Sequence, residues 1–205
     1  MPSVVDLRDY PPPPEAPATT GIDRPFTVGW IGSPSTTRYV QSLAEVLARV
    51  AASGPLRAVA VGASPLVMPG VALEQHPWSK AGEADEIAGF DVGVMPLDDA
   101  PWERGKCGYK LIQYMASARP VVASPVGVNV ELAIPGVTGE IATTPDDWVG
   151  ALERLRAMPA ERLRLGANGR ALVERQYALQ VTAPRLAALL HEVAGEGRGA
   201  ARAGR

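Results

Sequence analysis

The sequence predicts one α/β domain, a Rossmann-like parallel sheet with helices on both faces. Three observations carry that expectation. Short apolar runs such as Val28-Gly29-Trp30-Ile31 and Val92-Gly93-Val94-Met95 alternate with stretches whose apolar residues recur every three to four positions. That is the pattern of strands buried on both faces between covering helices. Glycine or proline ends the runs, at Gly32, Gly62, Pro96 and the 124–127 turn, where a parallel sheet opens toward ligands. Finally, 205 residues suffice for one domain with a substantial core and are few for two.

In chain order, residues 1–24 carry Tyr10-Pro11-Pro12-Pro13-Pro14 and Ala16-Pro17-Ala18, and read as an extended arm or linker. The folded domain is expected over 25–194. Residues 26–32 read as the first strand, followed by a turn at 33–37 in which Ser35 or Thr36 caps a helix. Tyr39, Leu43, Val46, Leu47 and Val50 mark that helix by their spacing. Strands at 57–62 and 71–74, a polar helix at 81–88 and an apolar strand at 91–96 come next. A helix over 108–117 and a strand at 120–123 follow, then a short helix at 129–133 and a strand at 138–141. Trp148, Leu152 and Leu155 turn one face of a helix over 146–158 inward. Helices over 160–176 and 179–193 close the domain, and residues 195–205, rich in Gly, Ala and Arg, read as a disordered tail. No internal repeat is apparent.

Composition excludes several classes. Apolar residues at 46% and charged residues at 20% are ordinary for a globular protein. A net charge of −2 argues against a general nucleic-acid binder, which would show a basic excess. A single cysteine, Cys107, excludes an internal disulfide and fits a reducing, cytoplasmic setting, whether free or peripheral to a membrane. The histidines are His76 and His191, and no cluster has metal-ligand spacing. No apolar run reaches transmembrane length, and Met1-Pro2-Ser3 does not open a signal peptide.

The most informative segment is Gly105-Lys106-Cys107-Gly108-Tyr109-Lys110-Leu111-Ile112-Gln113-Tyr114-Met115-Ala116, followed by Arg119-Pro120-Val121-Val122-Ala123-Ser124-Pro125-Val126-Gly127. It reads as a glycine loop, a helix, a buried strand and a second glycine loop. Both loops then lie at one end of the sheet with a helix N-terminus between them. Converging N–H groups and the helix dipole favour an anion, phosphate above all. Lys106 and Lys110 add formal charge; the plainer reading is a solvated helix start. Gly105 and Gly108 point to a backbone requirement, since loop glycine costs entropy without one.

These motifs, in this order, resemble the C-terminal, donor-binding half of GT-B-fold retaining glycosyltransferases, the group 1 or family 4-like set. The resemblance runs from Val4 to about Val193. It includes the linker-like Pro2-Ser3-Val4-Val5-Asp6-Leu7, the Asp91-Val92-Gly93 run before Met95-Pro96, and the Pro120-Val121-Val122-Ala123-Ser124 strand. It also includes the closing Gly166-Ala167-Asn168-Gly169-Arg170 helix, with Tyr177 beyond it. The family pattern carries two glutamates eight positions apart, one facing the donor sugar and one bonding the ribose; Gly105 and Gln113 occupy those positions here. Gln113 keeps an acceptor oxygen for a ribose hydroxyl but loses charge assistance. The family's diphosphate-holding arginine and lysine fall at Ser33 and Arg38, and Lys106 and Lys110 are the replacements for lost charge.

The resemblance implies a nucleoside-diphosphate sugar, UDP- or GDP-linked, as substrate, hexosyl transfer with retention, and no cofactor or metal. The implied binding set is Gly32, Ser33, Arg38, Gly105, Lys106, Cys107, Gly108, Lys110, Gln113, Val128 and Asn129, the last two through their amides. No catalytic residue is assigned. An N-terminal acceptor-domain partner, or a homodimer, is expected to complete the cleft, so the chain alone should bind donor weakly and transfer poorly. Alternatives are a non-catalytic nucleotide-binding or regulatory subunit and a sugar-nucleotide epimerase of the same fold. The latter lacks an obvious acid/base pair. Among other residues, Trp30 and Trp148 read as core and Trp78 as buried against the following helix rather than stacked on a base. Trp102 is a candidate lining residue, Cys107 a small loop residue rather than a nucleophile, and Asp98-Asp99 a surface turn.

Overall fold

The computed structural model describes residues 2–11 and 24–203, with side chains described as far as residue 194. The proline-rich stretch from Pro12 to residue 23 and residues 204–205 lie outside the described residues. Six strands, β1 (Phe26–Ile31), β2 (Leu56–Val61), β3 (Ala72–His76), β4 (Val92–Met95), β5 (Val121–Ala123) and β6 (Gly139–Ile141), form one sheet in the order β3-β2-β1-β4-β5-β6. Every pairing is parallel. The helices are α1 (Thr37–Gln41), α2 (Ala44–Ala52), α3 (Glu83–Ala88), α4 (Pro101–Arg104), α5 (Tyr109–Ala116), α6 (Asn129–Leu132), α7 (Pro145–Ala157), α8 (Pro159–Leu172) and α9 (Leu179–Ala203). A 3-10 turn at Pro34–Thr36 precedes α1, and a π-helical turn at Val173–Tyr177 follows α8.

Each sheet face has its own core. Phe26, Val28 and Trp30 of β1 pack with Val46, Leu47 and Val50 of α2 and with Trp148, Leu152 and Leu155 of α7. On the other face Ile31, Val61, Met95 and Ala123 pack with Leu111, Ile112 and Met115 of α5. Continuous burial along β1 and β4 follows from this double cover.

The structure departs from the sequence expectation at definite places. The helix expected over 39–50 breaks between Gln41 and Ala44, where the Ser42 hydroxyl donates to the Tyr39 carbonyl at 2.7 Å and competes with the helical ladder. The third strand starts one residue later and ends two residues further on than expected, as an edge strand paired only with β2. Helix α4 was not expected; Pro101 at its first position supplies the starting geometry, and Arg104 closes it on Asp99 at 2.6 Å. The last helix, α9, runs past the expected end at residue 193 as far as Ala203. The described start of the chain, residues 2–11, is tied to the domain. Val5 exchanges backbone hydrogen bonds with Tyr177 and Leu179 at 3.0 and 2.8 Å, and Val5 and Tyr10 are both buried.

The strand order reverses direction of growth between β1 and β4, and there the sheet opens. Their ladder pairs only Val28 with Val92 and Gly29 with Gly93. Beyond it the Ile31 N–H donates to the Tyr114 hydroxyl of α5 at 3.0 Å, and that hydroxyl donates to the Val94 carbonyl at 3.4 Å. Rings fill the space beside the two glycines: a Cβ on Gly29 would sit 2.0 Å from Phe90, and one on Gly93 2.3 Å from Tyr114. Burial raises the Tyr114 phenol above its ordinary range. Removing its oxygen strands a buried N–H, which costs about 1–3 kcal/mol. Tyr114→Phe should therefore lower the unfolding free energy by that amount, read as a lower urea midpoint with an unchanged m value, and an unchanged midpoint would refute the bridge.

Candidate functional site

The site grows out of the entry to α5. Gly108 takes φ +67°, and a Cβ there would lie 2.4 Å from Leu132 and 2.9 Å from Val128. Glycine is thus required twice, by backbone conformation and by close packing on α6. No side chain caps α5, and the N–H groups of Tyr109, Lys110 and Leu111 have no partner among the described residues. Such a helix end carries partial positive charge.

Two lysines stand beside it. The Lys106 ammonium lies 5.3 Å from the Tyr39 ring centre and 6.0 Å from that of Trp102, while Lys110 lies 5.4 Å from that of Trp30. Among the described residues neither makes a salt bridge. Burial, and secondarily the charge of Lys106, push Lys110 down to about 8. Two cations facing aromatic rings, beside free amides, favour an anionic ligand.

The 124–129 turn packs against the same loop. Gly127 takes φ +55°, and a Cβ there would meet the Arg104 carbonyl oxygen at 2.6 Å. Its N–H and that of Val128 have no partner among the described residues. The Asn129 N–H, by contrast, donates to the Val126 carbonyl at 3.2 Å. The Asn129 side chain is buried, donates Nδ2 to the Ser124 carbonyl at 3.2 Å, and leaves Oδ1 without a partner among the described residues.

The turn after β1 is closed on itself. The Gly32 N–H donates to the Val61 carbonyl at 2.9 Å and the Ser33 N–H to Thr36 Oγ1 at 3.1 Å, while the Ser33 hydroxyl pairs with that of Ser35 at 3.0 Å. Arg38 reaches Glu103 at 2.9 Å and stacks 4.7 Å over Tyr39, whose hydroxyl also donates to Glu103. The Tyr39 hydroxyl, with Arg38 beside it, holds the Glu103 carboxyl below its usual range. The structure therefore brings Lys106, Cys107, Gly108 and Lys110 to the open edge, with Gly105 exposed in the same loop. It ties Arg38 to a carboxylate and uses the amides of Gly32 and Ser33 locally.

Gln113 is buried, at 4% exposure. Its Nε2 donates to the Tyr10 hydroxyl at 3.1 Å, the Tyr10 hydroxyl donates to Glu83, and the Trp78 indole N–H donates to the other Glu83 oxygen at 2.8 Å. Trp78 is half exposed, so the expectation of its burial against the following helix does not hold, although its indole N–H is tied to the start of that helix. Trp102 is 75% exposed, and Cys107 is exposed with a free thiol. Sequence reasoning missed Tyr10, Glu83 and Glu103. Tyr10 lies 73 positions from Glu83 and 103 from Gln113, and Glu103 lies 64 from Tyr39, so no local periodicity marks these pairings.

Among the described residues no three His, Cys, Asp or Glu side chains could hold a metal ion, and no helix is long and apolar enough to cross a membrane. The family described as "Glycosyl transferases group 1" matches residues 25–157. No curated protein is a significant sequence match. Solved structures share the fold. Sucrose-phosphate synthase from Thermosynechococcus elongatus is 19% identical with TM-score 0.73, over 96% of this chain and 52% of its own. HepE from Anabaena, in complex with UDP and glucose, is 18% identical with TM-score 0.73, over 92% of this chain and 55% of its own. The C-terminal domain of the group 1 family protein LpcC from Francisella tularensis is 18% identical with TM-score 0.62, over 85% of this chain and 99% of its own. The chain thus spans about half the length of the first two.

Lys110 gives the site a pH signature. Its folded value of about 8 lies below the ordinary 10.5, so between the two the unfolded chain keeps a proton that the folded chain has lost. Its contribution to stability therefore rises with pH across that window, and below it the charged side chain carries its full burial cost. Lys110→Met should stabilise the protein most at pH 7, with the advantage over wild type shrinking toward pH 10 in urea melts. A constant difference would refute the burial of a charged Lys110.

Proposed function

Because this chain belongs to the group 1 glycosyl transferases, we propose that its open sheet edge binds a nucleoside-diphosphate sugar for hexosyl transfer with retention. The observation that carries this reading is the uncapped α5 N-terminus flanked by Lys106 and Lys110. The diphosphate sits on the Tyr109–Leu111 amides and meets both ammonium groups. As the bond to the sugar breaks, negative charge builds on that leaving group, and preoriented donors stabilise it more than they stabilise the ground state. In this reading no resident cofactor or metal is required. The Gly127 and Val128 amides face the sugar, and Gln113 meets a ribose hydroxyl. The UDP and glucose held by HepE support a ligand of this class.

Transfer also needs an acceptor held in line and water kept out. We place those tasks on a second domain, whether linked or separate. Two observations support this: the match to about half of the longer relatives, and an apolar stripe on α9. Leu179, Leu186, Leu190 and Val193 follow one face of that helix, each more than a third exposed. The isolated chain should bind donor while transferring sugar far below ordinary enzyme rates of about 1–1000 per second; normal turnover by the chain alone would refute the second-domain requirement.

Calorimetry with UDP, GDP and ADP tests the site itself. Lys106→Ala and Lys110→Ala should each weaken binding of the preferred diphosphate about tenfold or more, the worth of a charge-assisted contact. Wild-type affinity should fall above pH 8 as Lys110 loses its proton. Affinities equal to wild type in both variants would remove the lysines from the site.

A further inference from the structure

Gln113 is a carboxamide, and a carboxamide has two unlike ends. Only Oε1 can accept a hydrogen bond from a ligand hydroxyl, while Nε2 can only donate. Which end faces the ligand matters more here than for a carboxylate, whose ends are equivalent. The structure fixes that choice through two other residues. Glu83, at the start of α3, is a buried carboxylate that offers only acceptors. One of its oxygens takes the Trp78 indole N–H at 2.8 Å, and the other takes the Tyr10 hydroxyl proton. Lys80 lies 3.9 Å from that second oxygen and pairs with Asp9 at 2.8 Å, which straps the Tyr10 segment onto the α3 side.

The Tyr10 hydroxyl has one proton, and Glu83 has it. Toward Gln113 the phenol oxygen can then only accept, so the carboxamide must turn Nε2 to it, the geometry seen at 3.1 Å. Oε1 is left at the other end, accepting from no described residue. We infer that Tyr10, anchored by Glu83, is a positioning residue that sets the polarity of the Gln113 carboxamide, so that Oε1 is presented to the ribose hydroxyls of the nucleotide. The inference rests on the donor-binding reading above. It adds that a hydroxyl from the start of the chain compensates for an amide where the family pattern has a carboxylate.

The test compares, within each variant, binding of UDP and GDP with their 2′,3′-dideoxy analogues and with inorganic pyrophosphate. Each comparison is a ratio, so partial loss of folded protein cancels. The wild type should prefer the ribose form over the dideoxy form about fivefold, the worth of one neutral hydrogen bond. Tyr10→Phe keeps the ring and loses the hydroxyl; it should abolish that preference while leaving pyrophosphate affinity unchanged. Gln113→Leu should abolish the preference too, and adding Tyr10→Phe to it should change nothing further, as expected for two groups acting as one unit. A Tyr10→Phe variant that keeps the wild-type preference, or that loses pyrophosphate affinity by the same factor as ribose-form affinity, overturns the positioning role alone. A wild type that binds neither pyrophosphate nor either nucleotide overturns the donor site and this inference together.

Discussion

The opening between β1 and β4 is what the rest of the molecule is arranged around. A parallel sheet whose order reverses at its centre leaves one end of the strand pair unladdered, and backbone groups there need other partners. Tyr114 supplies them, bonding the Ile31 N–H and reaching the Val94 carbonyl from α5. The same contact seats α5 against the sheet, because its ring fills the space that Gly93 leaves. The N-terminus of α5 is thereby fixed at the carboxyl edge. The two glycine loops follow from that placement: Gly108 is closed against Val128 and Leu132, and Gly127 against the Arg104 carbonyl.

The charges at this edge are not arranged for stability. Moving an ammonium from an ordinary 10.5 to about 8 opposes its charged form by about 3 kcal/mol. Against a total stability of about 5–15 kcal/mol that is a large concession. Nearby, Arg38 shows the conventional solution, a guanidinium held on the buried carboxylate of Glu103 and stacked on Tyr39. The protein thus solves the charge problem at Arg38 and leaves it open at Lys110. A bound anion would repay the cost at Lys110 by restoring its proton, which is how a site built for a ligand differs from an ordinary surface.

Much of the fold was legible because its signals are local. Continuous apolar runs gave β1 and β4, and the inward spacing of Trp148, Leu152 and Leu155 gave α7. The glycine loops located the edge where Lys106, Gly108 and Lys110 gather. What was not legible depends on contacts between distant positions. Ser42 breaks a helix whose apolar spacing runs through it, because one hydroxyl can take a carbonyl from the ladder. The burial of Gln113 depends on Tyr10, 103 positions earlier, folding onto it. The Asn129 N–H is used by Val126, a turn detail that residue identity alone does not reveal.

The two departures from the family pattern, Gly105 and Gln113, bear on different parts of the proposed work. Binding of a diphosphate at α5 draws on backbone N–H groups and on the helix end, neither of which depends on side-chain identity. Replacing a carboxylate at either position therefore leaves the anion's seat intact, and even lowers the negative charge near it. What changes is the recognition of hydroxyl groups. A carboxylate accepts from a sugar or ribose hydroxyl at either oxygen, whereas glycine offers nothing and an amide offers one end. A chain with these substitutions must recover direction by geometry, and the buried Glu83–Tyr10–Gln113 series is a means of doing so without placing a second anion beside a phosphate group.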